Sequence, residues 1–178
     1  MRLTGHNEHD PGAAERRSGI ASNDKAYESV WDYPRPPALD LVGWNIKVVH
    51  NGITIVDAPS AIRVLETSQP PAYYIDPQFI QMEHLTRTSS TSFCEWKGMA
   101  SYASVDAAGV RAENACWSYS EPTPRFVEIA GHWAFYAQSV ECSVDGEPVI
   151  PNPGSFYGGW MTAHITGPVK GAPGTLHW

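Results

Sequence analysis

The sequence predicts a mostly β, antiparallel domain with one or two short helices, and three observations carry that expectation. Two apolar runs, NIKVV and ITIV, flank Asn51-Gly52, a strong two-residue hairpin signal because both residues tolerate positive φ. From Ser90 onward, short β-forming runs alternate with turn signals at Lys97-Gly98, Ala108-Gly109, Pro122 to Pro124, Gly131 and Asp145-Gly146, the rhythm of an antiparallel domain. Gly and Pro number 15 each in 178 residues, and only 17% are charged, which favours turns and short elements over long helices.

The elements follow in chain order. The first thirty residues are polar and aperiodic, so 1–30 read as a flexible N-terminal extension. Order is expected near Trp31, in WDYPRPPAL, where Pro34, Pro36 and Pro37 force an extended path. Residues 31–178 read as a single domain. The hairpin occupies 45–56, and AIRVLE at 61–66 is ambiguous between strand and helix. Pro70-Pro71 breaks the chain before AYYI, a strand. Asp76-Pro77 then opens a short helix, Asp as N-cap and Pro in the first turn, with Phe79, Met82 and Leu85 on one face. Further strands fall near 92–96, 99–105, 110–119, 125–129, 133–136 and 140–144. The Gly/Pro-rich end wraps as an ordered loop, because Phe156, Tyr157 and Trp160 are costly to leave in water.

Composition excludes several functions. A formal net charge of -7 argues against a broad basic footprint for nucleic acid. No stretch reaches the roughly 20 apolar residues of a membrane span. The N-terminus has no apolar signal-peptide core, so the expected location is cytoplasmic. Cys94, Cys116 and Cys142 are odd in number and widely spaced, which suits reduced thiols. No histidine stands in an HxH or HExxH pattern, no GxSxG elbow occurs, and no Gly-rich dinucleotide fingerprint follows a strand. Neither a metal nor another cofactor is expected.

Eight blocks occur in one order: YPRPPAL, AIRVLET, PPAYYI, FCEWKGMASY, NACWSYSEP, GHWAFY, VDGE and GGWMTAHITGPVKGAPGT. Together they resemble the family called domain of unknown function 427, sometimes labelled a nucleotidyltransferase domain, over about residues 31–178. The resemblance implies a β-tent: two antiparallel sheets meeting at an angle, as in the ligand-binding domain of cereblon and the Yippee proteins. Several of those relatives hold a structural zinc with two CxxC pairs, which this chain lacks. The nucleotidyltransferase label finds no support in the residues. There is no GxxxxGK[ST], and no closely spaced pair of acids stands out as a magnesium site. Where the family pattern reads C-P-W-K-G, this chain has CEWKG, with Glu95 in place of Pro.

The aromatic residues carry the functional expectation. Trp96, Trp117, Tyr119, Tyr136, Tyr157 and Trp160 are candidate walls of a pocket for a flat organic ligand. The cereblon-type resemblance, in which Trp residues cage a ligand, points the same way. Of Tyr73 and Tyr74, which alternate, only one should face such a pocket; Tyr74 is the candidate, as an acid or base. Arg35, preset by its flanking prolines, and Glu66 are candidates for a polar catalytic pair, the alternative being a salt bridge that pins the N-terminal arm. Glu95 and Lys97 should share one face of a strand, one of them a proton donor or an anchor for a ligand carboxylate, or both a solvated ion pair. His132 and His164 are the best single histidines for acid–base work. Lys170 is a weak candidate for anion binding. The expected partner is a small organic molecule, and a homodimer stays open. The expected function is cofactor-independent isomerisation, cyclisation or elimination in an aromatic pocket. The alternative is a non-catalytic ligand-binding or protein-interaction module.

Overall fold

The computed structural model describes residues 25–178; most of the expected N-terminal extension lies outside the described residues. Strand β1 (Glu28–Ser29) and a 3-10 turn at Val30–Asp32 precede β2 (Ala38–Val42). The Asn51-Gly52 hairpin joins β3 (Ile46–His50) to β4 (Ile53–Ala58). Next come β5 (Ala61–Leu65), β6 (Ala72–Tyr74) and 3-10 turns at Pro77–Phe79 and Met82–His84. A long meander follows: β7 (Leu85–Cys94), β8 (Gly98–Ala107) and β9 (Val110–Ser118). After a 3-10 segment at Pro124–Ile129 come β10 (Trp133–Phe135), β11 (Glu141–Val144) and β12 (Glu147–Pro148). The chain closes with β13 (Ile150–Pro151), β14 (Trp160–Met161) and β15 (Ile165–Thr166). The fold is mostly β with several antiparallel sheets.

Turn chemistry explains the hairpins. Asn51-Gly52, Ala108-Gly109 and Asp145-Gly146 all take positive φ at both positions, the geometry that matches the right-handed twist of paired strands. The resulting sheets have the orders β10-β9-β8-β7, β12-β11-β3-β4 and β2-β5-β6. The first and third meet where Ile75 and Trp133 exchange two backbone hydrogen bonds, at 2.9 and 3.0 Å. The edge strand β7 reads LTRTSSTSFC, and its hydroxyl side chains suit a solvated edge.

The main core lies between the β3–β4–β11 face and strands β8 to β10. Ile46, Val48, Ile55, Phe135 and Trp160 are fully buried there. A second apolar cluster joins Tyr74, Trp117, Tyr119, Phe126 and Ile129. A third holds the first strand: Val30 and Tyr33 pack on Ile165. Order therefore begins before Trp31, because Glu28–Ser29 pair in parallel with Ile165–Thr166. Arg63 fixes this arm. Its guanidinium is buried, bonds Glu28 at 3.0 and 3.2 Å and Asp40 at 2.9 Å, and lies 4.7 Å from the Trp44 ring centroid.

Several expectations are corrected. Residues 125–129 form a 3-10 segment rather than a strand. Pro124 opens it, and the buried Phe126 and Ile129 lie three apart, a helical spacing inside a run of β-forming residue types. The segment from Asp76 makes two separate 3-10 turns rather than one helix, and Leu85 already belongs to β7. The Asp76 carboxylate does accept from the Gln78 N–H, at 2.9 Å. Phe156 is 68% exposed despite its size. Residues 95–97 are the turn of the β7–β8 hairpin rather than the end of a strand.

Candidate functional site

A cavity of about 430 Å³ opens between the β5–β6 end, the β7–β8 turn and the loop that follows Asn152. Its rear wall is aromatic. Trp117 and Tyr119 lie two apart, Trp117 on β9 and Tyr119 just past its end, and both line the cavity. Tyr102 on β8 stands opposite Trp117 in register. Tyr74 closes the wall from β6. The strand pleat sends its neighbour Tyr73 the other way, where it stacks on Trp160 with centroids 4.9 Å apart.

Hydrogen bonds hold the rings. The Trp117 indole N–H donates to the Tyr74 hydroxyl at 3.1 Å. Tyr74 meets Trp117 edge-on at 6.2 Å, and Tyr136 lies 4.5 Å from Trp117. The Tyr136 hydroxyl donates to the Phe156 carbonyl at 3.3 Å, and Tyr102 shares a 2.8 Å bond with Ser92. Burial raises the pKa of Tyr74, Tyr119 and Tyr136 well above the ordinary phenol value. All three stay protonated and can only donate or accept as neutral hydroxyls. Gly158 is required here. A Cβ at this position would fall inside van der Waals contact of the Trp117 ring and come within 3.1 Å of Tyr136.

The charged groups sit around this wall. Glu66 is half-buried and lines the cavity, and its carboxylate makes no ion pair among the described residues. Glu95 is exposed on the β7–β8 turn. Lys97, in the same turn, is only 9% exposed. The turn is pinned from outside: Thr123 donates its hydroxyl to the Trp96 carbonyl at 2.6 Å and its N–H to the Lys97 carbonyl at 3.2 Å.

Trp96, Lys97, Glu95, Glu66 and Tyr74 thus line one cavity with Trp117, Tyr119, Tyr136 and Tyr157. Arg35 and Trp160 do not. Arg35 is exposed, and its guanidinium donates to the Thr67 carbonyl at 3.2 Å. The β2–β5 register, Ala38 opposite Leu65, runs out beside Thr67 and leaves Arg35 on backbone rather than on Glu66. Arg63 with Glu28, not Arg35 with Glu66, is the salt bridge that pins the N-terminal arm. Trp160 is fully buried in the main core, its indole N–H donating to the Phe135 carbonyl at 2.8 Å. Because Glu95 and Lys97 sit in a turn, strand alternation does not govern them, and one is exposed while the other is buried.

The remaining candidates lie elsewhere. His164 is buried against Trp44, with Nδ1 3.0 Å from the Thr162 hydroxyl, and His132 Nδ1 is 3.3 Å from the Ala130 carbonyl. Neither lines the cavity. Cys116 is buried with its thiol pushed up to about 12 by desolvation, which suppresses nucleophilic reactivity. Lys170 reaches the cavity edge, but its ammonium already donates to the Trp178 carbonyl at 2.9 Å. The sequence does not single out Tyr102, Gln69 or Pro70 as cavity residues, whereas Gly158, in FYGGW, reads there as a close-packing position. Tyr102 becomes visible only through its strand partner, and the other two through loop packing. Nor does the sequence single out Arg63, whose one signal was a charge inside the apolar run AIRVL.

No curated protein matches this chain. A family model described as domain of unknown function (DUF427) matches residues 39–146. That span carries the β5–β9 walls and the Glu95–Lys97 turn, while the loop bearing Tyr157 and Gly158 follows it. The match covers more than half of the sequence, and the chain belongs to this DUF427 family.

Proposed function

We propose that this protein binds a small, flat organic molecule in the aromatic cavity and performs cofactor-independent proton-transfer chemistry on it, as an isomerisation, cyclisation or elimination. The observation that carries the reading is one cavity of about 430 Å³ in which rings cover the rear wall and Glu66, a carboxylate without an ion pair among the described residues, lines the same space. That volume is in the range of small-molecule sites. In this reading Glu66 takes a proton from the ligand, and the neutral Tyr74 phenol, held by the Trp117 indole N–H, donates a hydrogen bond to the ligand oxygen that gains charge. Trp96, Trp117 and Tyr157 sandwich the ligand, and Glu95 stands at the mouth as a further acid or base.

A non-catalytic binding module is the second reading. It is favoured by the wall hydroxyls of Tyr74, Tyr102 and Tyr136, each already engaged by a protein hydrogen bond. Thermal-shift screening of a metabolite panel on wild type, Glu66→Gln and Trp117→Phe separates the readings. The enzymatic reading expects a stabilising compound that wild type converts and Glu66→Gln binds without converting. A compound bound equally by both and converted by neither supports the module.

A further inference from the structure

Among the described residues, one cation at the cavity has no ion-pair or hydrogen-bond partner, although Glu66 and Glu95 line the same space. Lys97 is nine-tenths buried, and among the described residues its ammonium makes neither an ion pair nor a hydrogen bond. Its neighbours are ring faces: the Tyr119 and Phe126 centroids each lie 5.9 Å from Nζ. Ring quadrupoles attract a cation but supply no hydrogen-bond acceptor, and Nζ is not one of the unpartnered polar atoms sealed from solvent, so an acceptor arriving through the cavity can reach it. The Thr123 clamp on the Trp96–Lys97 backbone holds the residue in this place before any ligand arrives.

We propose that the ligand of this pocket carries a single carboxylate, which pairs with the Lys97 ammonium while the flat remainder of the molecule lies against Trp117 and its neighbours. The proposal rests on the small-molecule reading above. A ligand carboxylate supplies both a direct counter-charge and the acceptor that the ammonium lacks, and a charge-assisted bond is stronger than a neutral one. The other cation at the cavity, Lys170, is occupied by the Trp178 carbonyl and lies 5.4 Å from the Tyr157 ring. Among the described residues, then, one unengaged cation at the cavity matches one negative charge. A phosphate dianion is disfavoured, because Glu66 and Glu95 line the same space and repel a second charge.

The test uses probes of matched shape and different charge: 2-naphthoate, 2-naphthamide and 2-naphthyl phosphate, titrated by calorimetry and by quenching of tryptophan fluorescence. Wild type should bind the carboxylate at least about tenfold tighter than the amide, with the phosphate weaker than the carboxylate. In Lys97→Met the carboxylate should fall to the level of the amide, while amide binding is kept. Lys97→Arg should restore part of the preference. Because Lys97 makes no ion pair or hydrogen bond among the described residues, Lys97→Met should keep a melting temperature close to that of wild type, and Lys97→Gln replaces it if Met unsettles the fold. Equal binding of acid and amide by wild type, or a carboxylate preference that survives in Lys97→Met, overturns the proposal and leaves the pocket standing. If no probe binds at millimolar concentration, the pocket reading itself is refuted and the proposal with it.

Discussion

Trp117 and Trp160 are both buried, yet replacing them by Ala should cost different amounts, because one ring faces a cavity and the other does not. Trp160 is fully buried, stacks on Tyr73 at 4.9 Å and donates to the Phe135 carbonyl at 2.8 Å. Truncating a core aromatic costs about 3–5 kcal/mol. The deprived carbonyl adds about 1 kcal/mol more, so Trp160→Ala should lose about 5 kcal/mol in total. A domain stable by roughly 5–15 kcal/mol would then be close to unfolding. Trp117 is 7% exposed and packs on Tyr74 and Tyr136, but it borders the 430 Å³ cavity. On that side there are no protein atoms whose dispersion contacts could be lost, and water can fill the enlarged space, so even with the Tyr74 hydroxyl deprived of its indole donor Trp117→Ala should lose only about 3 kcal/mol. Urea unfolding followed by circular dichroism gives both values if the m-value is unchanged. A loss at Trp117 equal to or above that at Trp160 would refute the reasoning: Trp117 would then be core, and the cavity no site.

Three further outcomes are expected. Gly158→Val pushes a side chain into Trp117 and Tyr136, so it should cost about 1–3 kcal/mol and shift the tryptophan emission; an unchanged spectrum and stability would show that the loop does not pack as described. Arg63→Ala leaves Glu28 without its buried partner and should cost about 3 kcal/mol, with proteolysis near Glu28 appearing earlier than in wild type. Desolvation lowers the His164 pKa below its ordinary value of 6.5, with Arg63 and Lys25 acting in the same direction and Glu28 and Glu147 against it. The unfolded chain binds this proton more readily, so the stabilisation is full above about pH 6.5 and is lost as pH falls through the lowered pKa. His164→Gln should flatten that decline in urea midpoints between about pH 7 and 5, and an unaltered slope would exclude His164 as its source.

Short-range chemistry made much of the fold legible. Asn51-Gly52 and Asp145-Gly146 announce their hairpins because few dipeptides accept positive φ twice. The misreadings came where composition and spacing conflict. RFVEI has strand-forming residues at helical spacing, and Pro124 together with the burial of Phe126 and Ile129 decided for the 3-10 segment. Strand β2, behind the prolines, and the hydroxyl-rich first half of β7 were hidden because neither shows a strong apolar alternation.

The site divides in the same way. Aromatic blocks such as CWSY and YGGW marked rings that the protein uses, but not on which side of a sheet each would fall. Tyr73 and Tyr74 were separable by the pleat alone. Trp117 and Trp160 were not, since their fates depend on the Tyr74 hydroxyl and the Phe135 carbonyl, partners 43 and 25 residues away. The β class, the hairpin turns, the family and the inventory of rings and charges were legible from the residues alone, because they follow from neighbours along the chain. Long-range packing was needed to show that Glu66 and Lys97 share a cavity, that Arg63 rather than Arg35 anchors the N-terminal arm, and that Lys97 has no polar partner among the described residues. Those are facts of strand register and loop packing, and they depend on residues far apart in the chain.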